Sequence, residues 1–401
     1  MSSPQKSHLL RTEAGAGLIL GLAAMAGMIA ANTPLSGAYF ALLHTEIPVR
    51  IGGWAETHDV LDWIKEGLLA IFFFVVGLEI KFEILRGELS TPKRLALPLL
   101  AALGGMIVPA AIYLAINAGP GGSPEGWPIP VATDIVFALA ALAAAGARAP
   151  VSLRVFLLAL AVVDDLGAVL LIAVLFTDGL DLAMAGGALA VLATMALLSF
   201  WKRTHAIFYV LGAVAVWAFT LKSGVATSVG AVAAALTVPV TQSRPGRPTL
   251  SHAMTDALRP YVSFLILPVF AFAASGFALS ALTPADFVSP VAVGVFLALL
   301  VGKPVGVLGA SWLAVRLRLA AQPSEATWTQ LAGAALLCGV GFTMSLYLAG
   351  LAFDEGGAAS SAARLGVIVG SLATTAIGVL VLRLMARPGP RPAPTAGSDG
   401  R

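Results

Sequence analysis

A single cysteine, Cys338, stands in 401 residues, which excludes an internal disulfide and any cysteine-held metal cluster. Cys338 itself reads as a small buried apolar residue. Charge is scarce as well: Asp, Glu, Lys and Arg make up 11% of the chain, against about 25% in soluble domains. With 58% hydrophobic residues and a mean hydropathy of +0.92, so few charges cannot cover a water-facing surface, and the solvent must be lipid. No basic run is interleaved with aromatics and nothing resembles a nucleic-acid module, so the net charge of +3 bears on topology and not on nucleic acid. The first apolar stretch lacks a clear small-residue cleavage site and reads as a retained span, not a signal peptide. Neither a cofactor nor enzymatic activity is expected.

What the chain does have is a succession of apolar stretches long enough to cross a bilayer, about 17 to 25 residues each as helix. They fall at roughly 14–31, 60–85, 95–117, 127–146, 151–176, 182–200, 206–221, 224–240, 261–282, 288–315, 328–353 and 365–382. The pattern predicts an all-α polytopic membrane protein of about twelve transmembrane helices in one domain, 1–387, with a Pro-rich tail, 388–401, expected to be disordered. Nineteen Lys and Arg residues lie in the terminal segments and alternate loops, whereas only Arg50, Lys222 and Arg364 lie in the opposite loops. That asymmetry puts both termini in the cytoplasm.

Two spans are broken. "WPIPVATDIVFALA" opens the fourth with Pro128 and Pro130, which lack backbone donors, and Thr133 and Asp134 follow. The eleventh carries "CGVGFTMSLYLAG", where Gly339 and Gly341 weaken the helix beside Thr343 and Ser345. Non-helical backbone at membrane depth is tolerated only inside protein or along a water-filled cavity, and paired interruptions in two halves mark a transporter's ion site. Spans three to five, about 95–176, and ten to twelve, about 288–382, each carry the break in the middle member. Because they start on opposite sides, they form inverted-topology repeats by position, although no sequence identity between them is visible.

Of the 21 acidic residues, only Asp134, Asp164 and Asp165 sit near mid-span without a charged neighbour on the water side, and of the 24 basic residues only Lys303 does. A charge at the centre of a membrane helix costs at least about 2.5 to 3.5 kcal/mol, so these four must meet each other, water or an ion. Adjacent Asp164 and Asp165 point about 100° apart on a helix. One can therefore face an ion cavity while the other faces a neighbouring helix, with Lys303 as the natural partner of the second. Carboxylate oxygens suit a small hard cation, and a carboxylate that holds either a proton or a cation, but not both, is a competitive exchanger. An intramembrane aspartyl protease also needs carboxylates on separate spans, but no Asp here has the Gly-x-Gly-Asp setting of such enzymes. A symporter of an organic substrate on the same architecture needs polar side chains beyond the ion site, in which these spans are poor. A passive channel is at odds with the occlusion that a buried lysine implies.

At these residues the sequence resembles the NhaA family of bacterial sodium/proton antiporters. The matching stretches are "FFFVVGLEIK", "VATDIVFALA", "VVDDLGA", "LKSGVAT", "LILPVFAFA", "GKPVG" and "CGVGFTMSL", spread from the second span to the eleventh. The resemblance implies electrogenic exchange of sodium or lithium for more than one proton in a bacterial inner membrane, by a protein that forms homodimers. It implies Asp165 as main sodium ligand, with Asp164 beside it, and Lys303 as a buried partner able to carry a proton. Thr133 and Asp134, with Gly339, Gly341 and Thr343, would form the crossing of the broken helices, where opposed helix ends need charge compensation. Glu79 and Glu83 resemble the family's pH-sensing cluster. Ala226 stands where the best-known members have a histidine, and Phe82 where a basic residue often lies, which implies a shifted or shallower pH response.

Overall fold

The structure, a computed structural model, describes residues 13–51, 54–87, 90–145, 150–177, 179–201, 205–240, 249–323, 326–354 and 356–385. The tail 388–401, and several basic residues of the topology argument (Lys6, Arg11, Arg148, Lys202, Arg203, Arg244, Arg247, Arg387, Arg391 and Arg401), lie outside the described residues.

Helices α1 (Glu13–Ala31) and α2 (Ser36–Leu43) precede a hairpin of β1 (Glu46–Ile51) and β2 (Trp54–Asp59). Helix α3 (Val60–Trp63) passes through a π-helical turn, Ile64–Leu68, into α4 (Leu69–Arg86), and α5 (Pro92–Asn117) follows. Two 3₁₀ turns, Pro124–Gly126 and Ile129–Val131, lead into α6 (Ile135–Ala144), then α7 (Val151–Leu175). Helices α8 (Leu182–Phe200), α9 (Ala206–Ser223) and the short α10 (Thr227–Thr237) come next. α11 (Leu250–Tyr261) runs through a second π turn, Val262–Ile266, into α12 (Leu267–Ser275). α13 (Pro284–Phe287), α14 (Pro290–Leu297), a third π turn, Ala298–Gly302, and α15 (Lys303–Arg316) follow. α16 (Trp328–Cys338), α17 (Phe342–Ala352) and α18 (Ala358–Met385) close the described chain.

Among the described residues, 8 helical stretches are long and apolar enough to cross a membrane, or up to 10 if each of two bent pairs counts as one span. The bends are 46° between Pro124–Val131 and α6 and 40° between α16 and α17. α10 has only 11 residues, and α4 carries Glu79, Lys81, Glu83 and Arg86 in its 18, so neither is among the eight. α8 and α9 turn large apolar side chains outward, Leu182 and Phe200 being 77% and 81% exposed, as lipid contact requires.

Two expectations need correction. The chain is not purely α-helical: β1 and β2 pair antiparallel from Glu46↔Asp59 to Ile51↔Trp54. The sequence there alternates polar and apolar residues around Gly52 and Gly53, a short-hairpin pattern. The ninth span starts at Leu250, not 261, because the polar residues of "LSHAMTDALRPY" disguise its first half. Neither Pro260 nor Pro304 ends a helix. Each lies two residues from a π turn, and at Pro304 the wider i→i+5 ladder that ends just before it accommodates the missing donor and the ring.

α5 and α15 pack along each other at the centre, and their backbones touch: a Cβ on Gly104 would collide with the Gly306 carbonyl oxygen, and the reverse holds for Gly306. α18 lies against α14, α16 and α17, while α1 packs on α6 and α12. The two bent pairs therefore cross inside a shell of continuous helices.

Candidate functional site

The fourth span is interrupted at Ala132, Thr133 and Asp134, and the eleventh at Gly339, Val340 and Gly341. Gly339 and Gly341 have ordinary negative φ angles, so glycine is needed for space and not for a left-handed turn. A side chain on Gly339 would strike the Leu299 carbonyl, which projects from the third π turn. Across the gap the backbone amide of Asp134 donates to the Val340 carbonyl at 2.7 Å.

Each half-helix beginning here offers unsatisfied amides and a partial positive charge. The Asp134 carboxylate answers both. Its Oδ1 accepts from the Phe137 amide at 2.9 Å, capping α6, and its Oδ2 accepts from the Thr343 amide at 3.1 Å and from the Thr343 hydroxyl, capping α17. Asp134 is 2% exposed.

The carbonyl ends are met by donors. Lys303 Nζ donates to the Val131 carbonyl at the end of the Ile129–Val131 turn. Thr133 Oγ1 is 2.9 Å from the Cys338 carbonyl at the end of α16, and the Ser345 hydroxyl donates to the Ile129 carbonyl at 2.6 Å. Cys338 is fully buried and contributes this carbonyl.

The adjacent aspartates diverge. Asp164 Oδ2 forms an ion pair with Lys303 Nζ at 2.6 Å, both side chains fully buried, and lies 2.7 Å from Thr133 Oγ1. One hydroxyl proton serves both the Asp164 and Cys338 acceptors of Thr133, so it bonds one at a time. Asp165 is 1% exposed and neither carboxylate oxygen has a hydrogen-bond partner among the described residues; the same is true of Asp164 Oδ1. A buried, unpartnered carboxylate is costly unless something neutralises it.

A cleft of about 340 Å³ lies between α4, α6, α7 and α11, with Val75, Glu79, Val136, Arg154, Leu158 and Arg259 on its walls. Leu158 and Val162, which line this cleft and the smaller cavity beside it, precede Asp165 on α7 by seven and three residues and so share its face. Asp164, about 100° round the helix, is turned to the crossing instead. The smaller cavity, about 110 Å³, brings together Glu79, Glu83, Ser251, His252 and Arg259. Glu79 Oε1 pairs with Arg259 Nη2 at 2.7 Å.

The residues singled out in the sequence thus fall into two groups. Thr133, Asp134, Asp164, Lys303, Gly339, Gly341 and Thr343 meet at the crossing, with Asp165 beside it, whereas Glu79 lines both the cleft and the smaller cavity and Glu83 the smaller cavity. Sequence reasoning did not assign the Val131 and Cys338 carbonyls, Ser371, whose hydroxyl accepts from the Phe342 amide at 3.1 Å, or the pairing of Arg259. Carbonyls carry no sequence signal, and Ser371 sits in an ordinary apolar helix. Arg259 stood out only as a topology charge.

The fold and site together define a multi-pass helical membrane protein with buried carboxylates at the crossing of two broken helices. The chain matches the family model described as Na+/H+ antiporter 1 over residues 7–382. It is 45% identical over 377 residues to the Na(+)/H(+) antiporter NhaA of Nitrobacter hamburgensis, covering 94% of this chain and 90% of that one. It is 44% identical to the NhaA of Bordetella parapertussis, covering 94% and 95%, and 43% identical to NhaA 2 of Erythrobacter litoralis, covering 94% and 93%. The chain belongs to the NhaA family.

Proposed function

We propose that the protein is a secondary active sodium/proton antiporter that extrudes sodium, and accepts lithium, by alternating access at Asp165. The observation that carries this reading is the contrast within the aspartate pair: Asp164 is held by Lys303 and Thr133, while both oxygens of buried Asp165 have no partner among the described residues. Asp165 is the exchange ligand and Asp164 contributes its open Oδ1. Among the described residues no three His, Cys, Asp or Glu side chains converge as a metal cluster requires, so a bound sodium would complete its shell with carbonyl, hydroxyl and water oxygens. Such a shell is easily exchanged, as a transport site needs to be. A proton entering at Asp165 removes the charge that holds sodium, and sodium displaces the proton in turn.

Lys303 supplies the second proton. When the Asp164–Lys303 pair opens to let Asp164 join the cation, the ammonium loses its counter-ion inside the protein and can release a proton. Two protons for one sodium move one net charge, which makes transport electrogenic. The cleft approaches from the side rich in Lys and Arg, so this arrangement is inward-facing. Glu79 and Glu83 tune access at the mouth.

About twelve spans, with both termini in the cytoplasm and an inverted relation between 95–176 and 288–382, complete the reading for a bacterial inner membrane. A homodimer would join through the segment 31–59, whose two-stranded sheet offers open edges. The symporter alternative has nothing to rest on: the curated relatives carry antiporter names, and the cleft walls are largely apolar.

The test is sodium-induced proton movement in everted membrane vesicles between about pH 6.5 and 9, comparing the native chain with Asp165→Asn. The native chain exchanges, and the variant loses at least about a hundredfold while keeping its unfolding midpoint. Exchange persisting in Asp165→Asn moves the site elsewhere. A rate that ignores an imposed membrane potential refutes the electrogenic version.

A further inference from the structure

Helix α4 lines the cleft with Phe72, Val75, Val76 and Glu79, the spacing of one helical face. Its other side packs on α10: a Cβ on Gly77 would collide with the Ala235 side chain and press on the Val232 backbone, and Ala70 and Phe74 share a groove with Ala231. Lys81 continues this second face, four residues after Gly77 and about 160° round the helix from both Glu79 and Glu83. Its Nζ donates to the carbonyls of Leu236 and Val238 at 2.7 and 2.5 Å. α10 has 11 residues, and these carbonyls belong to the unsatisfied acceptors at its end, where a positive charge is favoured. The ammonium thus ties the end of α4 to the end of α10.

The tie sits where α4 stops being packed. Residues 72–78 and Ile80 are buried, Glu79 and residues 81–83 are half-buried, and Ile84 and Leu85 are 45% and 57% exposed. On the cleft side Glu79 pairs with Arg259, whose side chain is 61% exposed, and an exposed pair holds weakly. An arriving cation can replace the guanidinium provided that the carboxylate stays in place when the pair opens. We propose that Lys81 is a positioning residue for cation entry: by fixing the rotation of α4 against the end of α10, it keeps the Glu79 carboxylate in the cleft wall, where it receives sodium in exchange for Arg259 on the way to Asp165. Lys81 itself touches neither transported ion. This inference rests on the antiport reading above.

The test measures the KM for sodium and the maximal rate separately, from sodium-driven proton movement by the full-length chain in everted vesicles at one fixed alkaline pH. Lys81→Met raises KM at least about threefold and leaves the maximal rate within about twofold, whereas Lys81→Arg, which keeps the charge and the donors, retains the native KM. Glu79→Gln raises KM to a similar degree, and adding Lys81→Met to it raises KM no further. A lysine that merely caps α10 would lower the unfolding midpoint and the maximal rate without moving KM; that result overturns the proposal, as does an equal rise in KM with and without Glu79. If Lys81→Met folds poorly, Lys81→Gln is measured against the same outcomes. A second arm is independent of transport: Glu79→Cys is labelled with a water-soluble maleimide added to everted vesicles, whose outer face is the cytoplasmic one, Cys338 being fully buried. Lys81→Met changes the labelling rate at least about threefold and Lys81→Arg does not. An unchanged rate overturns the proposal, even where the native chain shows no exchange and the antiport reading itself fails.

Discussion

The two broken spans do the same geometric job with opposite materials. The fourth is interrupted by Thr133 and Asp134, which supply polar side chains; the eleventh is interrupted by Gly339 and Gly341, which supply room and exposed amides. One carboxylate, Asp134, caps the half-helices of both spans. The carbonyl ends are also treated unequally: Val131 receives the Lys303 ammonium, whereas Cys338 receives the neutral Thr133 hydroxyl. Opposed breaks need one charge of each sign between them, not one per break. Two breaks can therefore differ completely in residue type and still be joined at one crossing.

Removing the cation should break the asymmetry most severely. Lys303→Met leaves Asp164 buried without its counter-ion and the Val131 carbonyl without its donor. Disrupting one partner of a buried ion pair costs about 3 to 5 kcal/mol, read as a drop in the unfolding midpoint in detergent. The double variant Lys303→Met with Asp164→Asn should regain most of that loss, because the charge that Lys303 paired with is gone as well. If the single variant melts with the native protein, the lysine does not hold the fourth span, and the comparison fails at its strongest point.

Next in size is the shared cap. Hydrogen bonds to a charged group contribute about 1.5 to 3 kcal/mol, so Asp134→Ala should cost about 3 kcal/mol and Asp134→Asn, which keeps an acceptor, about 1. The sharper reading is spatial. Amide hydrogen exchange should rise together in the first turns of α6 and α17, 200 residues apart in sequence. A rise confined to α6 would mean that Asp134 caps its own helix only and that the eleventh span is held by other means.

The charges of this site were legible because a membrane makes charge expensive: Asp134, Asp164, Asp165 and Lys303 stand out from an apolar background without any structure. The breaks were legible through Pro128, Pro130, Gly339 and Gly341. Which aspartate takes Lys303 was not, because a 100° separation fixes the divergence of two side chains but not the direction in which either points. The π turns escaped notice because Val262–Ile266 and Ala298–Gly302 are uniformly apolar or small and look like ordinary helix. The start of α11 was hidden for the converse reason, its polar residues masking the helix that continues into the membrane, and the hairpin was overlooked because its segment fell between spans.

The smallest effect belongs to the neutral donor. Thr133→Val preserves shape but removes the hydroxyl from both Cys338 and Asp164. Losing one neutral hydrogen bond while a buried carbonyl stays unsatisfied costs about 1 to 2 kcal/mol, and Thr133→Ser, which keeps the hydroxyl, should recover most of it. Hydrogen exchange should increase at the end of α16 and leave α6 unchanged, the reverse of the Asp134 pattern at that helix. Should Thr133→Val destabilise the protein more than Asp134→Ala, the ranking inverts: the hydroxyl linking α7 to the end of α16, and not the carboxylate between two helix starts, would then be what joins the two breaks.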